Sequence, residues 1–358
     1  MTWFYDPRRS YEDNYAHGPF GAFAAPPPAL PAPTARASFL GHDVASPFGI
    51  PAGPLVNAAF CAAAFRHGFD VNVYKTVRTG ARAAHPLPNA LAVHVDGRLA
   101  AGRVDPVLAD AALEGATSIS NSFGVPSRDP DAWQPDMAAA VAAAGEGQLL
   151  VGSFQGTHPA PDAPDREAAY VADHVAAAAL VAEAGVPVLE LNLSCPNEGT
   201  GALLCFDVPL VACIVAAVKE RVGDLPLLLK LAHFRDDAAL ARMVDATAGI
   251  VDGYAAVNTL PARLVGADGA PALPGAGREV AGVCGDAIRW AGLEMVGRLA
   301  RLREDAGRPY AIVGVGGVLT AEHHAAYRAA GADAVMSATG AMIDPGLGAA
   351  VRALPVSP

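Results

Sequence analysis

From residue 39 onward, short apolar runs alternate with alanine-rich stretches of helical period, and this rhythm restricts the fold more than any other feature of the chain. Apolar runs bounded by turn signals read as buried parallel strands, and the stretches between them as crossover helices. Candidate strands lie at 48–52, 71–77, 117–121, 149–154, 188–193, 227–231, 254–257, 311–315 and 334–338. Helices are expected at 165–184, at 208–222 after Asp207, at 236–248 and at 287–306, the last closed by Gly307. That is one strand too many for an eightfold barrel. Parallel neighbours need a crossover helix. Between Val77 and Thr117 the chain instead reads Arg-Thr-Gly-Ala-Arg-Ala-Ala-His-Pro-Leu-Pro-Asn, followed by Asp-Gly and Asp-Pro turns. Segment 117–121 is therefore assigned to an excursion, and the remaining strands predict an α/β fold, a (β/α)8 TIM barrel. The rival, a doubly wound sheet, would carry G-x-G-x-x-G after its first strand, where this chain reads Gly49-Ile-Pro-Ala-Gly53-Pro.

A barrel core takes about 250 residues, and the chain has 358. The excess is placed in an N-terminal arm, 1–38, in the excursion 78–116 and in a glycine-rich loop, 261–285, so that 39–358 forms one barrel domain. The arm's proline tract (Pro26, Pro27, Pro28, Pro31, Pro33) cannot hold a helix and is expected to run extended over the body. Hydrophobic residues at 52% and charged residues at 17% exclude a disordered chain. A net charge of −11 argues against nucleic acid and anionic membranes as partners. Arg8 and Arg9 are followed by no apolar segment of the secretory type, so a cytoplasmic protein is expected. The five cysteines form no C-x-x-C pair, which argues against a metal or iron–sulfur site within the chain. Cys61, Cys205, Cys213 and Cys284 are read as buried and inert.

Chemistry in such a barrel gathers at the carboxyl ends of its strands. Val313-Gly-Val-Gly-Gly-Val318 and Ala338-Thr-Gly340 end the last two strands in positions suited to an anion held by backbone N–H groups, the usual phosphate site. Lys75 and Lys230 each end an apolar run, where an ammonium is costly unless it meets an anion or a polarised carbonyl. Two such lysines around a phosphate-bearing ligand suit an electron-rich cofactor such as reduced flavin. The densest motif is Glu190-Leu-Asn192-Leu-Ser194-Cys195-Pro196-Asn197-Glu198-Gly199. Its alternation puts Asn192 and Ser194 on one strand face and carries Cys195 over the barrel mouth, where a thiol can move a proton while the amides fix a planar polar substrate.

From about residue 39 to 351 the chain resembles the dihydroorotate dehydrogenases, FMN-containing barrels of the class with a cysteine base. Asn192-Leu-Ser-Cys-Pro-Asn197 carries the likeness most specifically. Ser46-Pro-Phe-Gly-Ile-Pro-Ala-Gly53, Asn121-Ser-Phe-Gly124-Val-Pro126, Lys230, Asn258-Thr259 and Val313-Gly-Val-Gly-Gly317 support it. The resemblance implies oxidation of dihydroorotate to orotate in pyrimidine biosynthesis, with Cys195 taking the C5 proton and the C6 hydride passing to flavin N5. It implies that Asn121, Asn192, Asn197, Asn258 and Thr259 hold the pyrimidine and that the N–H groups of Phe123, Gly124 and Val125 bind its carboxylate. It further places Lys75 near flavin and substrate, Lys230 at the flavin N1/O2 edge, and Ala52, Gly53, Thr76, Gly282, Gly316, Gly317, Ala338 and Thr339 against FMN, with Asn121, Asn192 and Asn258 touching both.

The arm lacks the amphipathic helices with which the membrane-associated branch shapes a quinone tunnel, which disfavours quinone as oxidant. Fumarate, another small acceptor or a partner flavoprotein stay open, and a homodimer is implied by resemblance alone. After Lys230 the chain reads Leu-Ala-His233-Phe, without the proline-containing turn of the family. Such departures leave room for a paralogue acting on another dihydropyrimidine or an unsaturated carbonyl compound. A tRNA-dihydrouridine synthase would need a basic surface that this chain lacks, and a silent scaffold barrel need not keep Cys195 and both lysines.

Overall fold

The computed structural model describes residues 3–27, 29–33, 36–101, 105–160, 162–194 and 203–354. Eight parallel strands form the expected barrel: β1 (Phe48–Gly49), β2 (Val71–Val77), β3 (Leu149–Phe154), β4 (Val188–Asn192), β5 (Leu227–Leu231), β6 (Gly253–Ala256), β7 (Ala311–Val315) and β8 (Ala334–Met336). Each pairs with its neighbour in the order of the chain, and β8 pairs with β1. The ring closes where the N–H of Asp70 donates to Phe48 O (2.8 Å) and that of Val73 to Ile50 O (2.9 Å).

The strands alternate as both-face burial demands. Val73, Val151, Val188, Leu228, Ala255, Val313 and Met336 fill the interior, while Leu189, Leu191, Leu227, Leu229 and Ile312 face the surrounding helices. Those helices are α1 (Ala58–Arg66), α2 (Pro130–Ala142), α3 (Arg166–Glu183), α4 (Val208–Val222), α5 (Asp237–Thr247), α6 (Arg289–Ala306), α7 (Ala321–Ala329) and α8 (Leu347–Arg352). Their starts are set by side-chain caps: Asp165, Asp207 and Asp236 each accept an N–H of the first turn. Gly307, in the left-handed region, ends α6. No helix among the described residues is long and apolar enough to cross a membrane.

Two expectations need correction. The glycine-rich loop 261–285 is bounded by two antiparallel strands, Leu260–Val265 and Val280–Gly285. They join Ser118–Asn121, Ala92–His94 and Pro106–Asp110 of the excursion in one closed five-stranded sheet. The two insertions thus fold onto each other, Leu260–Val265 pairing with Pro106–Asp110 and Val280–Gly285 with Ser118–Asn121, which closes edges that each would otherwise leave open. The arm is not wholly extended: Tyr11–His17 is helical, with the Ser10 side chain accepting from Asp13 N–H. Trp3, Phe4, Tyr5, Tyr11 and Phe23 are buried, with Phe4 stacked on Phe23 at 4.3 Å and Phe23 on His67 at 4.4 Å. Each such ring contributes on the order of 1.5–3 kcal/mol by leaving water, which anchors the segment ahead of its prolines.

Candidate active site

At the carboxyl ends of the strands a cavity opens, lined from every side of the barrel. The strands and their following turns supply Ala52, Gly53, Lys75, Thr76, Asn192, Lys230, Asn258, Thr259, Gly316, Gly317, Ala338 and Thr339. The small sheet adds Ile119, Ser120, Asn121, Cys284 and Gly285, and the loop after Asn121 adds Phe123, Gly124, Val125 and Pro126. Tyr5 and Tyr11 of the arm close the remaining wall.

An amide chain crosses the floor. Asn192 Nδ2 donates to Gln155 Oε1 (2.6 Å), and Asn192 Oδ1 accepts from Ser194 N–H (3.3 Å). Asn258 Nδ2 donates to Ser194 Oγ (3.1 Å) and Ser194 O (3.2 Å). The network fixes which edge of each amide is offered to a ligand.

Opposite, the loop 122–126 is held rigid by buried Arg278. Its guanidinium donates to Pro86 O (2.8 Å), Pro88 O (2.8 Å), Pro274 O (2.9 Å) and both Ser122 oxygens (3.1 Å each). Gly124 has φ +77°, and a Cβ there would fall 2.5 Å from His85 Nε2. The N–H groups of Phe123, Gly124 and Val125 have no acceptor among the described residues, which leaves a row of donors at the cavity wall.

Lys75 and Lys230 are both buried. Lys75 Nζ donates to Pro126 O and lies 4.9 Å from the centre of the Tyr11 ring. Burial, with Arg78 nearby, pushes its pKa down to about 7. Lys230 Nζ has no hydrogen-bond acceptor among the described residues; burial lowers its pKa against the opposing pull of Glu190.

The residues expected at the site assemble here with three exceptions. Cys195 and Asn197 lie outside the described residues. Gly282 is not among the lining groups: it pairs with Asn121 across the small sheet, and a Cβ would meet Thr259 Oγ1 at 2.3 Å. Cys284 and Gly285, farther along that strand, line the cavity instead. Two of the cysteines read as buried are not: Cys213 is exposed and Cys284 partly so. Burial around the Cys284 thiol raises its pKa to about 11, so it stays protonated. His233, after Lys230, turns away to Glu294 (3.3 Å) and Trp290.

Sequence reasoning missed Tyr5, Tyr11 and Arg278. A signal existed for the tyrosines, since seven of the chain's Phe, Trp and Tyr residues fall within its first 23 positions. None existed for Arg278, whose acceptors are backbone carbonyls of distant segments.

Comparison with known proteins agrees with this layout. The family described as dihydroorotate dehydrogenase matches residues 113–349. A dihydroorotate dehydrogenase of Dictyostelium discoideum is 32% identical over 360 residues, 95% of this chain and 94% of its own. The catalytic subunit of dihydroorotate dehydrogenase B (NAD(+)) from Desulforudis audaxviator is 31% identical over 170 residues, 47% of this chain and 52% of its own. Among solved structures, DHODH of Eimeria tenella in complex with ferulenol superposes with a TM-score of 0.71 at 16% identity, over 90% of this chain and 84% of that one, a likeness of fold. Since the family match spans most of the barrel and the Dictyostelium relative nearly the whole chain, this protein belongs to the dihydroorotate dehydrogenase family.

Proposed function

We propose that this protein oxidises dihydroorotate to orotate, a step of pyrimidine biosynthesis, with FMN seated in the cavity at the barrel mouth. The observation that carries the reading is the arrangement of unpaired donors. Phe123, Gly124 and Val125, whose N–H groups have no acceptor among the described residues, line the cavity on one side and Lys230 on another, with the Asn121, Asn192 and Asn258 amides between them. A flat, doubly polar ring bearing a carboxylate matches that set.

The residues also fit the cofactor. Gly316 and Gly317 have φ of +123° and +67°, and a Cβ on Gly317 would sit 2.7 Å from Gly285 O. A Cβ on Gly340 would sit 2.1 Å from Val318 O. The backbone is therefore bare, and the N–H groups of Gly317, Thr339 and Gly340 have no acceptor among the described residues, while that of Ala341 donates to Ser337 Oγ (3.0 Å). These groups would hold the phosphate, and Lys230 would face the electron-rich edge of the ring. When bound, FMN supplies the acceptor for the C6 hydride of the substrate.

The chain does the rest. Loop 122–126 grips the carboxylate, the amides set the ring plane, and Cys195 takes the C5 proton as general base. A free thiol titrates near 8.5, so the reaction should quicken as pH rises toward that value unless the site lowers it. Mixing the FMN-loaded protein anaerobically with dihydroorotate should bleach the flavin. Failure to bleach defeats the reading, and bleaching by a different dihydropyrimidine alone moves the function there. Cys195→Ala should keep FMN yet slow bleaching by about 10²–10⁴ at neutral pH; an unchanged rate removes Cys195 as the base.

A further inference from the structure

Within the barrel lies a carboxylate that the reaction above leaves unused. Glu190 has no solvent exposure, and neither of its carboxylate oxygens has a hydrogen-bond partner among the described residues. A carboxylate so placed is costly unless a cation lies within reach of its field. Period-two alternation along β4 puts Glu190 on the inward face with Val188 below it and Asn192 above. On β5, Leu228 stands opposite Glu190 and Lys230 opposite Asn192. Glu190 is thus one layer beneath Lys230 on the adjoining strand, with their Cα atoms roughly 8 Å apart by strand geometry.

The surroundings leave these two to each other. Opposite Glu190 on β3 stands Ser153, whose hydroxyl is engaged with Thr76 Oγ1 at 3.0 Å. Opposite Lys230 on β6 stands Ala255. The other cation lining the cavity is Lys75 on β2. Neither Glu190 oxygen is within hydrogen-bond reach of Lys230, so the two act across the buried interior, where a Coulomb interaction is screened less than in water. Lys230 lines the cavity at the other end of this axis.

We infer that Glu190 is the buried counter-charge that keeps Lys230 protonated beneath the flavin. It is a positioning residue, acting on the cofactor only through the lysine, and the inference rests on the flavin reading above.

The test measures how tightly sulfite, an anionic probe of positive charge at flavin N1, binds to the FMN-loaded protein between pH 6 and 10. Parent, Glu190→Gln, Lys230→Met and the double variant are compared at each pH, which cancels sulfite's own titration. In Glu190→Gln the pH at which affinity falls should move down by about one unit, making binding on the order of tenfold weaker on the alkaline side. On the acidic side, where Lys230 is still charged, the variant should bind sulfite at least as tightly as the parent, because a negative charge has gone. A merely structural glutamate would weaken binding at every pH. In the Lys230→Met background, Glu190→Gln should change nothing.

An unchanged pH profile in Glu190→Gln overturns the inference. If Glu190→Gln alone fails to fold, the double variant decides: folding and FMN binding like Lys230→Met sustain the inference, and failure like the single variant overturns it. A parent protein that takes up no FMN defeats the functional reading instead, so the two failures are distinguishable.

Discussion

Lys75 and Lys230 end apolar strands, face one cavity and are equally hidden from solvent, yet their surroundings are opposite. Around Lys75 stand neutral acceptors and a ring, Pro126 O, Thr76 O and Tyr11, with Arg78 as a like charge that outweighs the pull of Glu12 on the arm. Around Lys230 no acceptor stands among the described residues, and burial, which lowers its pKa, is opposed by the attraction of Glu190. One wall therefore holds a lysine whose pKa falls to about 7, and the other a lysine whose pKa burial lowers against the pull of a buried carboxylate. Lys75 is finished by pieces outside the barrel's regular strands, the arm and the loop after Asn121. Lys230 is finished by the next layer of the barrel itself.

The sharpest way to break this comparison is to remove the charge from each wall. Lys230→Met should slow flavin reduction by dihydroorotate by about 10²–10³, the usual cost of losing one preorganised charge at an electron-accepting edge, and should weaken FMN retention. Rapid-mixing spectra and flavin release on dilution measure both. Equal loss in Lys75→Met on both readouts would erase the distinction between the walls.

A smaller effect is expected from the arm. Tyr11→Leu removes the ring over the Lys75 ammonium, a desolvated cation–π contact of about 2 kcal/mol, so KM for dihydroorotate should rise roughly tenfold more than kcat falls. Tyr11→Phe keeps the ring and should behave like the parent. If Leu and Phe act alike, the ring is packing and nothing more.

How much of this was legible in the sequence follows from the same contrast. The barrel was, because its strands alternate with capped helices: Asp165, Asp207, Asp236 and Gly307 announce their own boundaries. The lysines, the amides and the glycine turns were too, since each stands at the end of an apolar run. Glu190 could have been found, being two residues before Asn192 on the same face. The arm and the small sheet were hidden for a different reason. Strand Leu260–Val265 contains Pro261 and pairs along one edge with Pro106–Asp110, about 150 residues earlier in the excursion. The proline tract spoke for the whole arm, although the rings that pin it to the barrel precede the prolines.

The smallest expected effect concerns stability, and its sign follows from the direction of the Lys75 shift. In the folded protein Lys75 titrates near 7, and unfolded it titrates at its ordinary 10.5. Below pH 7 both states hold the proton, and the folded one bears the full cost of a buried charge. Between about 7 and 10.5 the unfolded chain binds more protons, so the contribution of Lys75 to stability rises with pH, by about 1.4 kcal/mol for each unit at most. Above that window both states are neutral and the dependence ends. Lys75→Met in the flavin-free protein should accordingly be more stable than the parent at pH 7, by about 1 kcal/mol once the lost bond to Pro126 is set against the relieved charge. That advantage should shrink as pH approaches 10. Thermal unfolding at pH 7, 8.5 and 10 measures it, and an advantage that stays constant over that range would mean that Lys75 keeps its proton in the fold.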